Sequence, residues 1–161
     1  MRLTSYVLDG RATCGVRRGD RLLEAADLAA GAPRDMRALI SAGPGLWSIL
    51  AQRAEAAPAG AGAPVSAATL APAVPRPGKI VCLGLNFRDH ALEGGFEIPE
   101  FPALFLRAAT SLTAHDAPIT RPRLSHTLDF EGELAVVIGA EGRRLDRETA
   151  LDILVRMKEK T

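Results

Sequence analysis

The chain has 161 residues, 47% of them apolar, with 20 basic against 19 acidic side chains. That length suits one domain, or a small domain and part of another, and the apolar content is enough for a real core. A charge near zero gives no pull toward nucleic acid or an anionic membrane, and no apolar run reaches the length of a membrane span. The opening "MRLTSYVLDG" has no long apolar stretch and carries Asp9, so it does not read as a signal peptide. Cys14 and Cys82 stand far apart without CxxC spacing. A disulfide framework or zinc site is not expected, both are read as small apolar core residues, and the cytoplasm is the default location.

Residues 1–70 read as a small α+β domain. "RLTSYVLDG" alternates, "DG" is a hairpin turn, and "ATCGVRRGDRLLEA" continues as short strands. "PRDMRALISAG" and "GLWSILAQRAEA" have helical spacing, with Leu46, Ile49 and Leu50 on one face and Trp47 as a core anchor. Residues 56–64, "AAPAGAGAP", hold only Ala, Gly and Pro and read as a flexible connector. "PAVPRPG" at 72–78 reads as a stiff, extended lead-in.

Residues 71–161 form the second part. "KIVCLGL" is a short strand, Asn86 can cap the turn that follows, and a helix runs through Leu92 until Gly94 and Gly95 end it. His90 and Glu93 lie three apart, so on a helix they are surface neighbours. A carboxylate beside an imidazole orients it and raises its basicity, which suits a general base. Such a pair is also an ordinary helix-surface contact. "PALFLRAATSL" is a strand followed by a polar turn. Arg107, at the end of its apolar run, could clamp a carboxylate through its planar fork or simply be a solvated strand end. His115 and His126 fall in loops. "RRLDRETALDILVRMKEKT" reads as a helix capped by Asp146, with Thr149 in the first turn and Leu151, Leu154 and Val155 as its stripe.

"LDFEGELAVVIG" at 128–139 reads as a strand on which Asp129, Glu131 and Glu133 share one face. Like charges on one face repel, and a hard cation would turn that repulsion into attraction. Mg²⁺ typically takes one or two carboxylates with waters and substrate oxygens. The same alternation also marks the solvent face of an antiparallel strand.

"RPGKIVCLGLNFRDHALEGG", "FPALFLRAATSL" and "LDFEGELAVVIG", in this order, resemble the fumarylacetoacetate hydrolase family over roughly residues 72–155. The first domain also resembles the short N-terminal domain of many bacterial members. The resemblance implies an α+β, β-rich fold: a small N-terminal α+β domain, then an incomplete mixed β-sandwich roll. It implies a metal-dependent hydrolase, isomerase or decarboxylase acting on small β-keto or enol acids such as acylpyruvates, as in aromatic-compound catabolism. A homodimer with Mg²⁺, or sometimes Mn²⁺ or Ca²⁺, is implied as well. Glu131 and Glu133 match the family's metal-binding ExE. His90 matches the histidine of its "N-[YF]-x-D-H" segment, which tends to be a mobile lid, and Glu93 the acid paired with that histidine. Arg107 stands where a Lys is usual, and Asp129 is not counted as a ligand. The family's third acidic ligand, in a segment like "GYTxxND", would fall just past Thr161. The chain is therefore expected to be truncated and inactive alone. A non-catalytic remnant or a ureidoglycolate lyase-type activity are the alternatives.

Overall fold

The computed structural model describes Met1–Val155. Two compact units emerge: Met1–Val74 with the residues from Thr113 onward, and Pro75–Leu112. The expected helical end beyond Val155, "RMKEKT", lies outside the described residues.

The first unit is built on an antiparallel meander. Strand β1 (Arg2–Leu8) pairs with β2 (Arg11–Arg18), and β2 with β3 (Arg21–Glu24). Leu8 faces Arg11, so the first hairpin turns on Asp9 and Gly10 alone, both with positive φ. A two-residue turn of that hand needs left-handed backbone at both positions, which "DG" supplies. Two-residue strands complete the sheet: β4 (Ala63–Pro64) beside β3, and β5 (Thr69–Leu70) beside β1. The order β4-β3-β2-β1-β5 puts β4 and β5 on opposite edges. Crossing four strand spacings of a flat sheet takes roughly 19 Å. The five steps from Pro64 to Thr69 span at most roughly 18 Å, and the 3₁₀ turn Val65–Ala67 shortens them further. The sheet must therefore curl and bring its edges toward each other.

Helices α1 (Ala25–Leu28), α2 (Met36–Ser41) and α3 (Gly43–Ala56) supply the rest of this core. Asp35 caps α2 by accepting the Ala38 N–H at 3.0 Å. On α3 the inward residues are Trp47, Leu50 and Ala54. Ile49, expected on that face, is 42% exposed: it stands a residue off the 47-50-54 line, which helical pitch keeps in register. Trp47 is the expected anchor, buried and donating its indole N–H to the Leu39 carbonyl at 2.9 Å. Cys14 is fully buried, and burial pushes its thiol up to about 11, which makes it inert. Cys82 is only half-buried, since its strand is covered less well.

One charge sits in this core. Glu24 is buried, and its carboxylate receives two bonds from the Arg11 guanidinium, at 2.7 and 2.8 Å, and one from Arg34 Nε at 2.6 Å. The Arg11 bonds above all, with Arg34, outweigh desolvation and hold the carboxyl down at about 2.

The Ala/Gly/Pro connector is not loose. Arg18 donates to the carbonyls of Ala54, Ala57 and Pro58, and Arg21 to those of Gly60, Ala61 and Gly62. Composition alone suggested flexibility because small residues have no side chains to hold. Their carbonyls are held instead.

The stretch after Thr113 differs from expectation in two places. Residues 128–137 form no strand, and pairing begins only at Ile138, bridged to Leu154. Over Ala150–Ile153 there is a 3₁₀ turn in place of an α-helix. Asp146 does cap: its carboxylate accepts the Thr149 N–H at 2.9 Å and the Thr149 hydroxyl, which hold the carboxyl below its ordinary range. The next residues give up helical bonds for the bridge, with Val155 N–H on the Val137 carbonyl at 2.8 Å and Gly139 N–H on that of Ile153 at 2.7 Å. Val155 packs against the core that holds Trp47.

The second unit is a two-stranded antiparallel ribbon, β6 (Ile80–Gly84) and β7 (Ala103–Arg107), with helix α4 (Arg88–Glu93) between them in sequence. No helix among the described residues is long and apolar enough to cross a membrane.

Candidate functional site

Helix α4 carries the two residues expected to act together. Strand β6 ends with Gly84 paired to Ala103. Leu85 then takes a left-handed conformation, φ 51°, and swings the chain out of the sheet. Phe87, extended at φ −106°, is the residue just before the helix, and no side chain caps it. Asn86 was expected to cap and does not, because the turn at Leu85 leaves it one residue too early. The far end is closed as expected. Gly95, φ 70°, bonds back to the Leu92 carbonyl at 3.1 Å, and Phe96 N–H to that of Ala91 at 2.8 Å. These two bonds around a left-handed glycine are the Schellman stop. His90 and Glu93 are exposed, and their three-residue spacing on a formed helix makes them surface neighbours. Arg107 ends β7 opposite Ile80 and is exposed.

An open cavity of about 330 Å³ lies in the same unit, with Leu83, Leu85, Asn86, Arg88, Glu100 and Phe101 among its walls. An amide, a guanidinium and a carboxylate share it with apolar side chains, a mixture that suits a small polar molecule with a carbon backbone. The sequence reading singled out none of these as site residues. The signal was there in Gly84-Leu85-Asn86, a strand-to-helix junction with no residue suited to a left-handed turn except those flanking Leu85.

The acids lie on the other unit as the contacts divide the chain. Asp129, Glu131 and Glu133 are exposed on a segment without a ladder, so the one-face argument does not describe them. A strand needs a neighbour for its N–H and C=O groups, and the segment gains one only at its end, from the Val137 carbonyl and the Ile138 bridge onward. Asp129 turns its carboxylate onto the Phe130 N–H at 2.8 Å. Glu131 and Glu133 offer two hard oxygen donors, which fits part of a Mg²⁺ sphere. Among the described residues, however, no group of three His, Cys, Asp or Glu side chains could hold a metal ion. His115 lies 3.3 Å from its neighbour Asp116, and His126 is in a loop as expected.

Residues 79–155 match the family model of the fumarylacetoacetate (FAA) hydrolase C-terminal domain. The chain is 46% identical over 83 residues to an oxaloacetate tautomerase of Bacillus subtilis, a stretch covering 49% of this chain and 28% of that one. It is 40% identical over 82 residues to the homoprotocatechuate catabolism bifunctional isomerase/decarboxylase of Escherichia coli, covering 50% of this chain and 19% of that one. A crystal structure of a Mycobacterium smegmatis protein given the name HpcE superposes with a TM-score of 0.69 at 25% identity, covering 93% of this chain and 51% of that one. The matched stretch is thus well under half the length of these curated relatives. Residues 79–155, which hold His90, Glu93, Arg107, Glu131 and Glu133, are thus the segment that is similar to the fumarylacetoacetate hydrolase family.

Proposed function

We propose that this protein contributes the acid–base and cation-holding residues of an enzyme that acts on small β-keto or enol acids. The observation that carries the reading is that all five candidate residues fall inside the matched segment, with His90 and Glu93 together on α4. Residues 1–70 are then an accessory α+β domain, and residues 71–161 belong to the catalytic domain.

His90 acts as the base. For tautomerisation an imidazole nitrogen takes the proton from the carbon between two carbonyls and returns it at the enolate oxygen, so no atom is lost. For hydrolysis the same nitrogen takes a proton from the attacking water. Glu93, one helical turn on, orients the ring. Arg107 offers a planar fork to a substrate carboxylate; it differs from Lys in its fixed geometry. Glu131 and Glu133 would hold Mg²⁺, Mn²⁺ or Ca²⁺, a cation that supplies charge stabilisation to an enolate when bound. A homodimer is part of the same reading. The oxaloacetate tautomerase and the isomerase/decarboxylase among the relatives support the inclusion of tautomerisation and decarboxylation beside hydrolysis.

The test is a chimera in which residues 79–155 replace the matching stretch of the Bacillus subtilis tautomerase. The chimera should keep oxaloacetate tautomerase activity. His90→Ala in it should lower turnover by about 10²–10⁴-fold, as for a general base. A folded chimera without activity, or one indifferent to His90→Ala, would contradict the reading. Activity that survives Glu131→Gln and Glu133→Gln would contradict the cation-holding role of the two acids.

A further inference from the structure

Among the described residues, four other than glycine have positive φ: Asp9, Leu85, Asp116 and Arg144. Aspartate adopts that conformation readily, because its short side chain bonds locally. A leucine rarely does, since its Cβ crowds the neighbouring carbonyl. The case of Leu85 is sharper because of its neighbours. Gly84 precedes it and Asn86 follows, and either would turn left-handed at little cost.

The turn cannot move to them without loss. Gly84 is the last paired residue of β6, opposite Ala103, so turning there would remove a pair from a short ribbon. Turning at Asn86 would lengthen the strand by one residue and send the following chain to the other face. Register therefore puts the bend on Leu85. The two ends of α4 differ accordingly. The far end closes on Gly95 in a relaxed cap, and Ala91 in between is fully buried. The near end starts from Leu85, without a side-chain cap.

We propose that Leu85 is a positioning residue: its left-handed backbone sets the direction in which α4, with His90 and Glu93, leaves the β6–β7 ribbon. The chemical meaning of that direction rests on the function proposed above. Relaxation of Leu85 to an extended or right-handed conformation would re-aim the whole helix, because the Schellman end makes α4 move with its own stop. A strained backbone of this kind persists only where its surroundings over-determine it, and such residues gather at functional sites. Half-buried Leu85 also lines the 330 Å³ cavity, so the turn shapes the wall beside the helix as well as its aim.

The experiment uses the 161-residue chain and NMR. In wild type, residue 85 should give the strong intraresidue HN–Hα contact of a left-handed residue. Leu85→Asn and Leu85→Gly should keep the left-handed turn and protect the Ala91, Gly94 and Phe96 amides from exchange at least as well as wild type. Leu85→Val should speed exchange at those three amides by roughly 10-fold, because a β-branched residue resists this backbone. The β6–β7 and α3 amides should not change in any variant. In the chimera, Leu85→Val should lower kcat more than it raises KM, and Leu85→Asn should restore it. Equal loss of protection in Asn, Gly and Val variants would overturn the proposal, by showing that the leucine side chain matters and its backbone does not. So would a wild-type residue 85 with negative φ. The exchange result does not depend on catalysis, so an inactive chimera with the expected exchange pattern would count against the proposed function alone.

Discussion

The β1–β5 sheet and the β6–β7 ribbon are written in similar residues and end in opposite states. Both are antiparallel, and both carry several Leu, some Val and a single aromatic side chain, Tyr6 in one and Phe105 in the other. In the first, Tyr6 and Val16 are almost wholly buried, at 1% and 3% exposure. In the second, Leu104 and Leu106 are 66% and 74% exposed. Consecutive residues of a strand point to opposite faces, so Leu104, Phe105 and Leu106 make both faces of β7 apolar. That pattern belongs to strands covered on two sides. The lesson is that an apolar run specifies a strand but not its cover. In residues 1–74 the cover comes from α1, α2 and α3, close in sequence. A two-stranded ribbon has none of its own and is marginal in water.

The largest expected difference is in amide exchange. Amides of β1, β2 and α3 should exchange roughly 10³-fold or more slowly than those of β6 and β7, because core elements open only with global unfolding. Comparable protection in the two regions would remove the contrast. Truncation should separate them next. Leu39→Ala, at a fully buried position, should cost about 2–5 kcal/mol in denaturant unfolding. Leu106→Ala, on an exposed strand, should change stability by less than about 0.5 kcal/mol.

Acid tests the buried charge of the first region. The Glu24 carboxyl is held at about 2, below its ordinary 4.5, so its contribution is complete above pH 4.5 and is lost as pH falls toward 2. Glu24→Gln should therefore lower stability near pH 7 by about 2–3 kcal/mol, with the difference from wild type shrinking between pH 4.5 and 2. Arg11 and Arg34 are about half exposed, so salt should reduce the effect. A difference that stays constant down to pH 2 would contradict the ion-pair account. A smaller loss than that of Glu24→Gln is expected for Trp47→Phe, which keeps most of the packing and loses one buried bond to the Leu39 carbonyl, for about 1 kcal/mol by thermal unfolding.

Local patterns were legible where a bond partner is near in sequence. "DG" made its hairpin, Trp47 and Leu50 found the core, and Gly94-Gly95 stopped α4. The family match and the β-rich α+β fold were readable from three short motifs in order. Misreadings came where the partner is distant or is backbone alone. The Ala/Gly/Pro connector is held by Arg18 and Arg21, some 40 residues earlier, which composition of the connector cannot reveal. Residues 150–155 have helical spacing, yet the bridge between Ile138 and Leu154 takes their bonds. The acids at 129, 131 and 133 alternate as a strand does, but alternation fixes faces only once a ladder forms. Ile49 and Asn86 failed by one residue each, the ordinary error of reading a helix boundary or face without its neighbours.

The candidate cation site is tested most directly by Mn²⁺ titration of the 161-residue chain and three variants, followed by electron paramagnetic resonance of the free ion. Two carboxylates with no third acid grouped beside them among the described residues should bind weakly, on the order of 10⁻⁴–10⁻³ M. Glu131→Gln and Glu133→Gln should each abolish that binding, and Asp129→Asn, whose carboxylate is turned onto the Phe130 N–H, should leave it nearly unchanged. Equal affinity in wild type and both Gln variants, or a loss confined to Asp129→Asn, would contradict the assignment of Glu131 and Glu133.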